Sequence, residues 1–157
     1  MTIRDFGLNK ILREFRTLSQ SEVAVGIVGD VATQAHPNGN GLTFAEVATV
    51  NEYGSADGRI PERPAHRNAA ETNQAAIGKN IQLAILDVLN GTSTAQQAMD
   101  KIGVWYTGKV KKSITDLRTP PNAPPTVQRK GSSNPLIDTG RTRNSVAHIV
   151  RKLTTGK

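Results

Sequence analysis

PPNAPPTVQRKGSSNPLIDTGRTRNS, residues 120–145, holds five of the chain's eight prolines and opens on two Pro-Pro pairs. Proline lacks the amide proton and keeps the residue before it out of the helical region, so the stretch reads as neither helix nor central strand. It is polar and basic, and it lies between a helical region and a short alternating tail. A segment of this kind does not fill a core. It reads as a surface arm, held in one shape so that something else can recognise it.

On its C-terminal side, Ser145-Val146-Ala147-His148-Ile149-Val150 alternates apolar with small or polar residues, as an edge or half-buried strand does. On its N-terminal side, Ala95, Ala98, Met99, Ile102, Tyr106 and Val110 keep helical spacing as far as Ile114 or Leu117. Ser93-Thr94-Ala95-Gln96 reads as the capping box of that helix, with Ser93 as the cap. Gly103 and Gly108 each cost it about 1 kcal/mol relative to alanine, which implies tight packing in return. An earlier long helix runs from about Pro64 through Ile77, Ile81, Ala84, Ile85 and Val88 to Gly91. The short connection sets these two helices antiparallel.

Further upstream, Leu8, Ile11, Leu12 and Phe15 mark an amphipathic helix with Asp5 as its N-cap. Val23 to Val28 reads as a buried strand, with Val23, Val25 and Ile27 on one face and Gly26 baring the other. It is the natural partner for the strand near Val146. Gly29 to Gly41 is a loop, and Thr43 with Glu46 forms a capping box for a helix that ends at Gly54. Ile60-Pro61-Glu62-Arg63-Pro64 is extended, because each residue before a proline is pushed there. The expected fold is α+β: a small antiparallel sheet packed against a long antiparallel helical pair, with extended loops and a Pro-rich C-terminal arm. Residues 1–117 form the helical and strand core region and 118–157 the arm and final strand, all within one domain.

Charge is unevenly placed. Residues 1–117 carry 12 Lys or Arg against 12 Asp or Glu, whereas 118–157 carry eight against Asp138 alone, so the net +7 sits on the last quarter. This favours an acidic or phosphate-bearing partner. With no cysteine, disulfides, thiolate nucleophiles and Cys-type zinc sites are excluded. The charged start MTIRDFGLNK has no apolar signal core, and no run approaches a membrane span, so a soluble protein of a cytoplasm is expected.

Little in the chain reads as catalytic. Leu136-Ile137-Asp138-Thr139-Gly140 matches the short turn of aspartic proteases, but that chemistry needs a twin carboxylate, and Arg141 follows it. Asp138 reads instead as the N-cap of a short helix towards Ser145. His36, His66 and His148 are isolated, with no metal-ligand spacing, and Val25-Gly26-Ile27-Val28-Gly29-Asp30 lacks the third glycine of a dinucleotide loop. Neither a cofactor nor an enzyme activity is expected. The competing use of the arm is sequence-nonspecific DNA binding through phosphates.

The run PPNAPPTVQRKGSSNPLIDTGRTRNS resembles the C-terminal signature of bacteriophage virion-morphogenesis proteins, the neck and tail-completion proteins of tailed phages and Mu-like prophages. Val47 to Gly54 (VATVNEYG) and Ile60 to Pro64 (IPERP) are similar to two further elements of that family, in the same order. Together these pieces cover about a quarter of the chain. One departure stands out: Ala65-His66 follow IPERP where the family carries an aromatic or large apolar residue.

The resemblance implies a small α+β subunit of a homo-oligomeric ring, six or twelve copies, at the phage head–tail junction. Such a ring joins head to tail and lines the genome channel. Its partners would be portal or head-completion proteins, tail terminator or tail tube proteins, and the viral DNA passing through, with no membrane. It would be a virion protein assembled in the host cytoplasm. The expected interface comprises Pro120, Pro121, Asn122, Pro124, Arg129, Lys130, Arg141 and Arg143 of the arm, with Ile60 and Arg63. Asp138, Thr43 and Ser93 serve as structural caps. On this reading, deletion from residue 118 onward leaves a soluble helical remnant.

Overall fold

The alternation near residue 146 becomes strand β2 (Val146–Lys152), which pairs antiparallel with β1 (Ser21–Ile27) in a computed structural model describing residues 7–153. The register sets Ile27 opposite Val146, Val25 opposite His148 and Val23 opposite Val150. Because side chains alternate across a strand, these three pairs share one face, and that face packs on helix α5 (Ala95–Asp116). Around this two-stranded sheet, seven helices complete an α+β fold among the described residues.

The main core lies where α5 meets β2 and the short helix α3 (Ala65–Thr72). Val110, Ile114, Leu117, Val146, Ala65 and Ala69 are buried there, with Val25, Ile27 and Tyr106 packed alongside. Tyr106, rather than its neighbour Trp105, supplies the core contact; Trp105 lies under the ammonium of Lys109. A second cluster joins α5 to α4 (Gln74–Leu89) and α1 (Leu8–Ser19) through Ala84, Val88, Ala98, Ile102 and Leu18. Gly103 has its explanation here. A Cβ at that position would overlap the imidazole of His148, so glycine lets β2 lie directly on α5.

Several expectations need correction. The helix expected from Pro64 is two helices: Asn73 turns its side-chain amide onto the Ala69 carbonyl (2.8 Å) and ends α3 before α4 begins. Asparagine offers the backbone this alternative to helical bonding. The cap of α5 is Thr94 and not Ser93. Thr94 Oγ1 accepts from the Gln97 amide (3.2 Å), and Gln97 Oε1 accepts from the Thr94 amide (3.0 Å). The tandem Gln96-Gln97 allows either register on paper. The Glu14 carboxylate, accepting from the Ala95 amide (2.8 Å), matches the one adopted. Ser93 instead accepts a hydrogen bond from Lys101.

The capping box of Thr43 and Glu46 starts helix α2 (Phe44–Tyr53) as expected, and its hydrogen bonds hold the Glu46 carboxyl below the usual range. Asp5 lies outside the described residues; α1 begins after Gly7.

The arm also differs from expectation. Pro124–Lys130 is a helix, α6, with its two prolines in the first turn. No donor is required there, and the fixed φ suits the helix. Beyond it, Leu136 and Ile137 pack on the main core, and β2 completes the sheet. Truncation before residue 118 would therefore strip cover from Val110 and Ile114 and unpair β1, so a folded remnant is not the expected product.

Gly103→Ala is expected to lower stability by about 1–3 kcal/mol, the usual cost of overpacking. In urea unfolding, Gly103→Ala combined with His148→Ala should lose less than the sum of the two single changes, because the second removes the ring that the first strikes.

Candidate functional site: a cationic cleft held by Arg63

The motifs scattered along the sequence meet around one cleft of about 730 Å³. Its construction starts at the end of α2. The Asn51 carbonyl accepts from the Arg63 amide (2.7 Å), which ties the IPERP segment to the helix. The buried Glu52 carboxylate takes the amides of His66 (3.0 Å) and Arg67 (2.9 Å), capping α3 from a neighbouring helix. Gly54 adopts φ 78°, and a Cβ there would lie 2.9 Å from the Ile60 carbonyl oxygen. Glycine is thus required both for the turn and for the close approach. Ala65 is buried and His66 lies beside Glu52 (3.2 Å), so the two residues that follow IPERP make a small core contact and a polar one.

This framework aims Arg63 at the arm. Its Nε donates to the Pro120 carbonyl (3.0 Å), and its Nη2 donates to the Pro121 carbonyl (3.1 Å) and to Asn122 Oδ1 (3.3 Å). Arg63 is only 7% exposed, and burial pushes its pKa down. Prolines at 120 and 121 suit the contact because a proline-stiffened carbonyl row loses little freedom on being bound.

The return of the arm hangs on Asn134, which the sequence reading passed over. Its Oδ1 accepts the amides of Leu136 (3.0 Å) and Ile137 (3.1 Å), and its Nδ2 donates to the Thr115 carbonyl (2.9 Å). Its own carbonyl accepts from Asn122 Nδ2 (3.2 Å) and Lys130 Nζ (3.1 Å). The signal was present in Ser133-Asn134-Pro135, since asparagine before proline marks an Asx-type turn.

Eight of the ten expected interface residues line the cleft: Ile60, Arg63, Pro121, Asn122, Pro124, Arg129, Lys130 and Arg141. Pro120 stands behind Arg63, and Arg143 turns aside to donate to Asn144 Oδ1 (3.2 Å). Lys130 is not a free cation. It folds onto the carbonyls of Asn134 and Pro135, and burial outweighs the attraction of Asp138 to lower its pKa, with Arg63 and Arg129 adding repulsion.

Asp138 is not a helix cap. Gly140, at φ 76°, precedes the short helix α7 (Arg141–Asn144), which has no side-chain cap. Asp138 accepts from Asn38 Nδ2 (2.9 Å) instead, and His36 Nε2 meets Thr142 Oγ1 (3.1 Å). These two contacts clamp the 29–41 loop onto the far wall. Asp138 is the only carboxylate lining the cleft among the described residues, so it has no twin there with which to share a proton. Nor do three His, Asp or Glu side chains gather anywhere among those residues to hold a metal ion.

Arg63→Ala is expected to cost about 2–3 kcal/mol, because it removes three part-buried hydrogen bonds from a charged donor. Hydrogen exchange should show the amides of Thr126 to Gly131 losing protection before those of α5. Arg63→Lys should rescue only part of the loss, since one ammonium cannot copy the fork. Comparison with protein-family models, curated proteins and solved structures finds no match for this chain.

Proposed function

We propose that this chain is a structural virion subunit of the virion-morphogenesis type, forming a homo-oligomeric ring of six or twelve copies at a phage head–tail junction. It joins head to tail there and leaves a channel for the genome. In this reading α4 and α5 form the antiparallel pair that stiffens each subunit, and the Pro-rich arm faces neighbouring components. No bond-breaking chemistry is assigned to it.

One observation carries the self-assembly part of the reading: an apolar helical face that a single copy leaves uncovered. Helix α4, QAAIGKNIQLAILDVL, bears charge only at Lys79 and Asp87. A helix so apolar on every side is normally surrounded. Here only Ala84 and Val88 are buried, while Ile81, Leu83, Leu86 and Leu89 are exposed. Next to it, α1 has no buried residue, and its stripe of Leu8, Leu12 and Phe15 lies between 41% and 60% exposed. An apolar groove of about 420 Å³ opens between α1, β1, α4 and α5, with Phe15, Leu18, Ile81 and Ile102 on its walls. Surface of this extent marks an interaction site, and neighbouring copies in a ring would cover it.

The three sequence stretches that resemble the family support the same reading from another side. They meet around the cleft and make up much of its framework.

Mass photometry and negative-stain microscopy of the purified protein test the proposal, with closed rings expected. Leu12→Glu and Leu86→Glu should leave the thermal melt within about 1 kcal/mol of the original, as exposed substitutions do, and shift the population to monomers. A phage carrying either change should accumulate unjoined heads and tails. A wild-type protein that stays monomeric at high micromolar concentration, and variants that join normally, would overturn it.

A further inference from the structure

We propose that the cleft is a docking site for an extended acidic segment of a different protein, whose carboxylates meet Arg129, Arg141 and the open edge of the Arg63 guanidinium. This deepens the virion-subunit reading and rests on it for where the partner is found, though not for the chemistry.

Five cations line the cleft with one carboxylate, Asp138, among them, and of the five only Arg59 is ion-paired among the described residues, to Asp57 (3.3 Å). Arg129 and Arg141 are exposed at its mouth and make no hydrogen bond or ion pair with the described residues. Arg63 is more than nine-tenths buried, yet every acceptor it has is neutral, and its Nη1 donates to none of the described residues. That nitrogen is not sealed from solvent. Lys130 likewise rests on carbonyl oxygens. A buried or half-buried cation held by neutral groups alone is incompletely compensated, and a carboxylate is the planar, two-oxygen partner that a guanidinium fork fits best.

The shape and lining select a peptide. The volume is that of a site for a short chain segment or small ligand. Between the cations, beside polar Asn51 and Asn122, lies a stiff apolar strip of Ile60, Pro61, Pro121 and Pro124. A phosphodiester backbone has nothing to place against them, whereas an extended peptide alternates a carboxylate with an apolar side chain. Duplex DNA is too broad to enter a concavity of this size and would meet only its rim.

Charge also decides against a second copy as the occupant. No two of the chain's 13 acidic residues lie within four positions of each other, so it has no acidic segment to offer. The apolar α1/α4 face and the cationic cleft therefore serve different partners, the first a copy of itself and the second another protein.

Fluorescence anisotropy on the full chain tests this with a labelled peptide that alternates glutamate and leucine around a central proline. The same peptide with glutamine for glutamate and a labelled short duplex serve as controls. The wild type should bind the glutamate peptide better than either control. Arg129→Glu with Arg141→Glu should weaken it about tenfold or more, as reversed rim charges do. Lys79→Glu with Lys152→Glu, an equal charge change at exposed positions outside the cleft, should leave binding intact.

Equal loss in both double variants would overturn the proposal by reducing it to bulk charge, and tighter binding of the duplex would overturn it in favour of DNA. Mass photometry keeps the two readings apart. The Arg129→Glu, Arg141→Glu variant should assemble like the wild type. Loss of its assembly would place the cleft between copies and overturn the inference. A wild type that binds peptide without assembling would count against the ring alone.

Discussion

One buried guanidinium decides how this chain closes. Arg63 sits at the end of a stiff extended segment and grips a row of carbonyls 57 and more residues away, at Pro120 and Pro121. Hydrogen bonds to a charged donor are about twice as strong as neutral ones, and in a half-dry setting they are not diluted by water. Everything after residue 120 is laid down from that grip: α6 starts three residues on, Asn134 turns the chain back, and Leu136 and Ile137 drop onto the core. The arm that reads in sequence as a limb for others to hold is first held by its own chain.

Local rules made the regular elements legible. Thr43 with Glu46, the spacing along α5, and the alternation from Val146 each depend on neighbours in sequence, and each appears where its pattern lies. The misreadings have two causes. Two prolines in a row forbid a helix only in its interior, and at Pro124 and Pro125 they occupy the first turn. Ser93 was read as the cap of α5, while the cap found is Thr94, accompanied by a carboxylate 81 residues away on α1. Asp138 was read as a local cap and is bonded to Asn38, 100 residues distant. Side chains whose partners lie far along the chain leave no periodic trace, so Arg63 and Asn134 were legible as residues and illegible as fasteners.

The two surfaces that carry the functional argument differ in physics. The α1/α4 face offers apolar area and almost no direction, which suits a permanent contact between subunits of fixed shape. The cleft offers little area but several aimed charges, which suits the capture and orientation of a segment arriving from elsewhere. An amphipathic stripe such as Leu8, Leu12 and Phe15 looks identical in sequence whether its cover comes from within the chain or from outside. Composition cannot separate those cases, because the same transfer of apolar surface out of water drives both.

The pairing of β1 with β2 joins residues 21–27 to residues 146–152. During synthesis the early strand must wait, with both edges bare, until nearly the last described residues have left the ribosome. Long-range pairing of this sort is slow to form and leaves an open edge prone to sticking in the meantime. A prematurely terminated copy has neither its sheet nor its cleft, although the apolar α1/α4 face lies wholly upstream of the arm and β2 that complete them.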